Sequence, residues 1–380
     1  MSDKIVATYV LARPAAEAAR AARQVAVEQT VEVPESLITP DIERRVVGKV
    51  LEVVPGGGPE LFKARIAYEP ELSGWELPRL LNLVYGNVSL QQGIRLVDLE
   101  LPPAFLARFK GPNYGLAGLR KLVDVHDRPL LATALKPSGA PISEFETLAY
   151  DFVRGGGDVL KDDQNLCDAD LKAFAERVKR VQAAVDKGNA KAKTKAVYCP
   201  ILCGPADELE ARVDAVLKAG AKGVLAPPML LGLDTVRSLA AKKKLVVLAH
   251  PSFTGTFFSD RSHGVTPALL LGTLFRLAGC DASIFPSPGG RFGFTKEECR
   301  DVSRALHGPL GRLAPAFPAP AGGMTYTSLP GLAAVYGVDS MFLVGGGLLS
   351  HDRSVYEATK AFIEAIGGLF PSRSGRVCPP

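Results

Sequence analysis

The chain has 380 residues, 47% hydrophobic and 22% charged, a globular balance that excludes a disordered or fibrous chain and allows two domains. Its longest apolar runs, such as residues 268–274, fall short of the roughly 20 that cross a bilayer, and Met1-Ser2-Asp3-Lys4 opens no secretory signal, so a soluble cytoplasmic protein with no membrane partner is expected. The net charge of +5 includes lysine clusters at 187–195 and 242–244 without any nucleic-acid-binding signature, and these read as solvated helix ends and loops.

In chain order, residues 4–11 alternate as a strand, and the alanine-rich 15–27 is helical. Residues 44–54 and 61–68 read as two strands around the turn Pro55-Gly56-Gly57-Gly58. An amphipathic helix at 75–85 and a strand at 94–101 complete a β-α-β-β-α-β order, that of a ferredoxin-like α+β unit.

From residue 130 the pattern becomes a regular alternation of short apolar runs and helical stretches. The strands read 130–135, 158–162, 196–202, 223–226, 245–249, 282–285, 314–318 and 341–344, with helices such as 171–184, 208–219, 267–277 and 296–306 between them. Eight such strands make a parallel sheet closed on itself, a C-terminal (β/α)8 TIM barrel. An open doubly wound sheet is the alternative, but no glycine-rich dinucleotide fingerprint follows the first of these strands. The expected organisation is an N-terminal domain over 1–115, a barrel over 116–370 and a tail over 371–380. Six cysteines form no CxxC pair; Cys199 and Cys203 are placed on one face of a strand, and reduced, mostly buried thiols with no zinc site are expected.

Barrel chemistry gathers where strands end. Lys136 follows a wholly apolar strand, where desolvation makes a lysine usable as acid or base. Alternation sends Lys161 and Asp163 to one face and Asp162 to the other, and oxygen ligands of this kind suit a hard cation such as Mg²⁺, unless a Lys–Asp ion pair only orders the loop. His250 ends the fifth strand, and Arg291 sits in the glycine-rich loop after the sixth, able to close over substrate. Gly322-Gly323 and Gly345-Gly346-Gly347 end the seventh and eighth strands, where bare backbone N–H groups bind phosphate. His263 and His351 lie beyond strand ends and read as structural or surface residues.

At these residues the chain resembles the RuBisCO large subunit, and more closely the RuBisCO-like proteins of form IV, over nearly its whole length. The resemblance is carried by Val6-Ala7-Thr8-Tyr9, Tyr85-Gly86-Asn87-Val88, Leu101-Pro102-Pro103-Ala104-Phe105 and Lys110-Gly111-Pro112. Further along it is carried by Lys136-Pro137, Gly155-Gly156-Gly157-Asp158 with Lys161-Asp162-Asp163, and the two glycine clusters. It implies a homodimer whose barrel mouths are each covered by the partner's N-terminal domain, with Glu28 and Asn87 at the positions contributed to substrate binding in trans. It implies that Lys161 is the lysine carbamylated by CO₂ to ligate Mg²⁺, that Asp163 is a ligand, that Lys136 moves protons at the reacting carbons, and that His250 lies near metal and substrate.

The departures narrow the activity. Gln164 replaces the family's second carboxylate ligand, and Ser138 its second lysine of Lys-Pro-Lys. Pro251, Thr254, Ile284 and Ala321 stand where a distal phosphate is gripped, and Arg291 where a mobile-loop lysine stabilises carboxylation. With the proximal glycine site retained, the expected substrate is a small sugar-like compound with one phosphate, and carboxylation of a 1,5-bisphosphate is not expected. What the resemblance leaves is enolisation through an enediolate, as in the family's isomerases, enolases and decarboxylases, with weakened Mg²⁺ binding and Lys161 either carbamylated or unmodified and paired to Asp163 or Asp162. The alternative is a degenerate enzyme kept as a binding or regulatory protein.

Overall fold

The computed structural model describes residues 3–242, 244–349 and 354–370, so Lys243, His351, Cys378 and the expected tail lie outside the described residues. The chain divides into two compact units. The first takes the chain up to Lys110 with Phe253–Leu274 and Pro309–Leu313; the second takes Gly111–Ser252, Phe275–Gly308 and the chain from Ala314 on.

In the first unit, strands β1 (Ile5–Ala12), β2 (Lys49–Pro55), β3 (Leu61–Tyr68) and β4 (Ile94–Glu100) form an antiparallel sheet in the order β4-β1-β3-β2. The two-residue β10 (Gly264–Val265) adds a parallel edge beside β4. The helices Ala15–Glu28 and Leu77–Tyr85 bury Ala18, Ala22, Val25 and Leu80, Leu83, Val84, at the spacing of one helical face. The buried Tyr9 hydroxyl donates to Val84 O at 2.6 Å, which fixes the second helix to the sheet. The region 44–54 is a correction: Thr39 caps a short helix Pro40–Arg45, with Pro40 at its first turn, and the strand begins only at Lys49.

In the second unit, β5 (Leu130–Leu135), β6 (Val159–Asp162), β7 (Val197–Cys199), β8 (Gly223–Ala226), β9 (Val246–Ala249), β11 (Ala282–Pro286), β12 (Phe317–Ala321) and β13 (Met341–Leu343) run parallel. Their order is β7-β6-β5-β13-β12-β11-β9-β8, and the bridge Ile201↔Leu225 joins the chain after β7 to β8, closing the barrel. The ladder is uneven around the circle. β11 and β12 share a register from Ala282↔Phe317 to Pro286↔Ala321, whereas β12 and β13 meet only at Ala321↔Leu343. The seventh strand lies three residues later than its sequence reading, and Cys203 falls beyond β7, so only Cys199 is buried on a strand.

Alternate residues fill the barrel. Leu130, Ala132, Val159, Val197, Ile201, Leu225, Leu248, Ile284, Ala319 and Leu343 belong to one buried core. The helix Gly115–Val123 contributes Leu119 and Val123 to it. The same parity, continued two residues along each strand, aims Lys136, Lys161, Asp163, His250 and Ala321 toward the C-terminal mouth. Gly157 holds the entry to β6 for a packing reason: a Cβ there would sit 2.2 Å from the Phe152 ring.

Buried aspartates stitch the strand starts. Asp158 accepts Leu131 N at 2.7 Å and pairs with Arg128 at 2.6 and 2.9 Å. Asp281, fully buried, accepts the backbone N–H groups of Tyr114, Gly115 and Val247 at 2.6, 2.8 and 2.8 Å. Removing this carboxylate strands buried donors, so Asp281→Ala is expected to destabilise the protein by about 3 kcal/mol. Urea denaturation checks this; a loss below about 1 kcal/mol would show that water replaces the carboxylate without penalty.

Candidate active site at the barrel mouth

Register sets the depth of the two lysines. Ala134 pairs with Lys161 and Lys161 with Cys199, so Lys161 occupies the top inward layer of the barrel wall, one step below Lys136. Lys161 is 3% exposed, and its Nζ donates to the main-chain oxygen of Asp162 at 2.9 Å. Burial pushes its pKa down to about 8, and the charge of Lys136 adds to this while Asp163 and Asp162 oppose it. A substantial neutral fraction therefore exists near physiological pH.

Asp163 forms an ion pair with Lys136, not with Lys161, and also accepts Asn165 N at 3.0 Å. Burial raises its carboxyl, but Lys136, the Asn165 N–H and the charge of Lys161 together hold it below the ordinary carboxylate range. The expected pairing of Lys161 with an aspartate side chain is thus corrected. Lys136 projects further toward solvent and takes the Asp163 carboxylate, leaving Lys161 a backbone carbonyl.

The Asp162 carboxylate points the other way, as alternation requires. It accepts Arg177 Nη1 at 2.7 Å, the Tyr198 hydroxyl at 2.6 Å and Ile201 N at 2.8 Å. Arg177 and Tyr198 carry no signature of their own in the sequence. The available signal was Arg177 three residues after Phe174, a charge on the buried face of the helix Leu171–Ala192.

His250 Nδ1 and Ser252 Oγ share a 2.7 Å hydrogen bond, and His250 N donates to Ala226 O at 2.9 Å. Burial, then the charge of Lys161, drives the imidazole pKa down to about 3, with Asp163 opposing and Lys136 adding. His250, Lys161, Lys136 and Asp163 are therefore close enough to act on one another electrically.

Gly322 and Gly323 adopt φ of +94° and +66°, which favours glycine, and an added Cβ at either meets nothing within 4 Å. Gly345 and Gly346 are equally open, while a Cβ on Gly347 would lie 2.4 Å from Met324 O, so Gly347 serves packing. Gln164 is half-buried beside Asp163. Arg291 is not drawn into the cluster: it lies exposed on the loop after β11, its guanidinium 4.8 Å above the Phe292 ring. In the first unit, Gln29 bonds Asn82 O, Leu83 O and Val88 N, and this brings Asn87 Nδ2 to Glu28 Oε1 at 3.1 Å across 59 residues.

His250 should stay neutral across the physiological range. Its folded pKa lies below the unfolded value, so folding stability is present above about pH 6.5 and falls as pH drops toward 3. NMR of the imidazole carbons is expected to show no titration between about pH 5 and pH 8; a midpoint near 6.5 would contradict the burial argument.

No helix among the described residues is long and apolar enough to cross a membrane. The family described as ribulose bisphosphate carboxylase large chain, catalytic domain, matches residues 115–285. The chain is 38% identical over 371 residues to the 5-methylthioribulose-1-phosphate isomerase of Rhodospirillum rubrum, covering 97% of each protein. It is 33% identical over 312 residues to the 2,3-diketo-5-methylthiopentyl-1-phosphate enolase of Geobacillus thermodenitrificans, covering 81% of this chain and 76% of that one. The crystal structure of a Rubisco-like protein from Rhodopseudomonas palustris matches with a TM-score of 0.87 at 33% identity, covering 99% of this chain and 100% of that one. Similarity of this extent, over both units and the barrel mouth alike, makes the chain a member of the RuBisCO large-chain family, alongside its RuBisCO-like proteins.

Proposed function

We propose that this chain is an enzyme that enolises a monophosphorylated sugar derivative through an enediolate, acting as an isomerase, enolase or decarboxylase and not as a carboxylase. The observation that carries the reading is the charge at the mouth. Lys136 and Lys161 stand against the single carboxylate of Asp163, so while Lys161 is protonated the mouth carries a net +1 around a buried amine. Such a site favours the negative oxygen that develops when a proton leaves the carbon beside a carbonyl. Lys136, 39% exposed in its side chain, has access to substrate and is assigned the delivery and return of the proton. Neutral His250 offers a hydrogen bond without adding charge.

The glycine clusters are assigned to a single phosphate, bound through backbone N–H groups at open positions. Where the family grips a second phosphate, the second unit carries Pro251, Ile284 and Ala321, none able to hold an anion. The relatives named for an isomerase and an enolase act, by those names, on monophosphates, in accord with this reading. Arg291 is assigned to a closing loop over the mouth, and Glu28 with Asn87 to the site of the partner in a homodimer.

Among the described residues no cluster of three His, Cys, Asp or Glu side chains could hold a metal. Mg²⁺, the cofactor suggested by family membership, therefore fits only once Lys161 is a carbamate, which joins Asp163 and Gln164 as a third oxygen donor. A pKa near 8 makes that step accessible, because the neutral amine is the form that adds CO₂. Bound there, Mg²⁺ would polarise the substrate carbonyl.

Two measurements test the reading. Incubation of candidate phosphosugars with the protein in D₂O is expected to wash deuterium into the carbon beside the carbonyl, and Lys136→Met to slow this by about 10²–10⁴-fold. Binding without wash-in by the unmutated protein would assign it instead to the binding or regulatory class. In bicarbonate buffer, Gln164→Glu is expected to tighten Mg²⁺ binding by about 1–3 kcal/mol in calorimetry, more at about pH 9 than at pH 7 because Lys161 is then neutral. Tight binding by the unmutated protein, unimproved by the substitution, would contradict the assigned ligand set.

A further inference from the structure

One buried guanidinium holds the β6 loop at both ends. Asp162 and Asp168 flank residues 163–167, the stretch that carries Asp163 and Gln164. Arg177, 2% exposed, reaches both flanks: Nη1 donates to Asp162 Oδ2 at 2.7 Å, while Nε and Nη2 donate to the two Asp168 oxygens, each at 2.8 Å. Nη1 also donates to the Tyr198 hydroxyl at 3.0 Å, and that hydroxyl donates to Asp162 Oδ1 at 2.6 Å. The Phe174 ring lies 5.5 Å from the guanidinium carbon and screens it from water.

The arrangement has two consequences. The Asp162 peptide cannot rotate freely, because its side chain is held by Arg177, Tyr198 and the Ile201 N–H. Its main-chain oxygen is the acceptor of Lys161 Nζ, so the clamp sets where that amine sits. The far end of the loop is tied through Asp168 to the same guanidinium, so Asp163 and Gln164 hang between two fixed points. Without Arg177, two nearly buried carboxylates would face each other uncompensated, and the more exposed one, Asp168, would swing outward.

We propose that Arg177 is a positioning residue for the active site, bridging Asp162 and Asp168 so that Lys161, Asp163 and Gln164 keep their working geometry. The kinetic part rests on the enolisation reading. A lysine here keeps the charge but cannot form the bidentate bond to Asp168 while still reaching Asp162. Asp168→Asn keeps the shape, lies partly at the surface and weakens only the outer limb.

The experiment measures deuterium wash-in for Arg177→Lys and Asp168→Asn, with mass-spectrometric amide exchange over residues 163–168 in the same proteins. In this stretch Asn165 N–H donates to Asp163 Oδ1 at 3.0 Å and Leu166 N to Asp163 O at 3.1 Å. Expected are falls in kcat of about 10-fold for Asp168→Asn and about 100-fold for Arg177→Lys, with KM within about 2-fold, since a misplacement near 1 Å costs about that much. Loop amides should exchange faster in both variants. A folded Asp168→Asn protein with unchanged kcat or unchanged loop exchange overturns the proposal, as does a loss confined to KM. If Arg177→Lys fails to fold, Asp168→Asn decides alone. If the unmutated protein washes in no label, the enolisation reading fails, and loop exchange by itself then decides whether the clamp exists.

Discussion

An ammonium group placed in the wall of a closed barrel is the constraint around which the mouth is arranged. Lys161 lies one step below Lys136 in the barrel wall, paired in register with Ala134 and Cys199, and water reaches only 3% of it. Desolvation of this kind disfavours the charged form, and the surroundings compensate only in part. The carboxylate on its own face, Asp163, is committed to Lys136, and the Asp162 carboxylate faces the helical layer. Lys161 is left with one carbonyl oxygen and a lowered pKa, a state in which it can lose its proton or be modified at little expense.

The same economy appears in the pairing of residues. Asp158, Asp162 and Asp281, at strand ends, hold main-chain N–H groups, Asp158 and Asp162 pairing also with Arg128 and Arg177, and a fourth aspartate, Asp163, faces the mouth. Charge in the barrel is thus divided between groups that hold strands together and groups that remain open to chemistry. Ile284 packs in the barrel core and Ala321 packs against it, so apolar residues at these positions belong to the wall as much as to the mouth.

Much of this was legible in the sequence, and the failures have physical causes. β5 and β8 carry the bounds expected of them, because each is a short, mostly apolar run ended by a punctuating residue, Lys136 or Pro227. The reading of β12 falls three residues early because prolines at 315, 318 and 320 interrupt the apolar run and mask its period. Alternation correctly separated Asp162 from Lys161 and Asp163. It could not decide which lysine takes the Asp163 carboxylate, since Lys136 and Lys161 share that face and the choice depends on depth in the barrel. Arg177 is not legible in this way, because one charge among the many of a long helix resembles a solvated one until its buried neighbours are known. Arg291 lies on a loop, and a loop position fixes no distance to the mouth.

The uneven ladder of the barrel divides its wall into two staves. β13, β5, β6 and β7 form one, and β8, β9, β11 and β12 the other, each with a continuous register inside it. Among the described residues each junction between the staves carries a single registered pair, Ile201↔Leu225 on one side and Ala321↔Leu343 on the other. Lys136, Lys161 and Asp163 all belong to the first stave, and His250 to the second. The two glycine clusters fall on opposite sides of the β12–β13 seam. An anion seated between them would act as a rivet across that seam, so occupancy of the site and rigidity of the barrel would rise together.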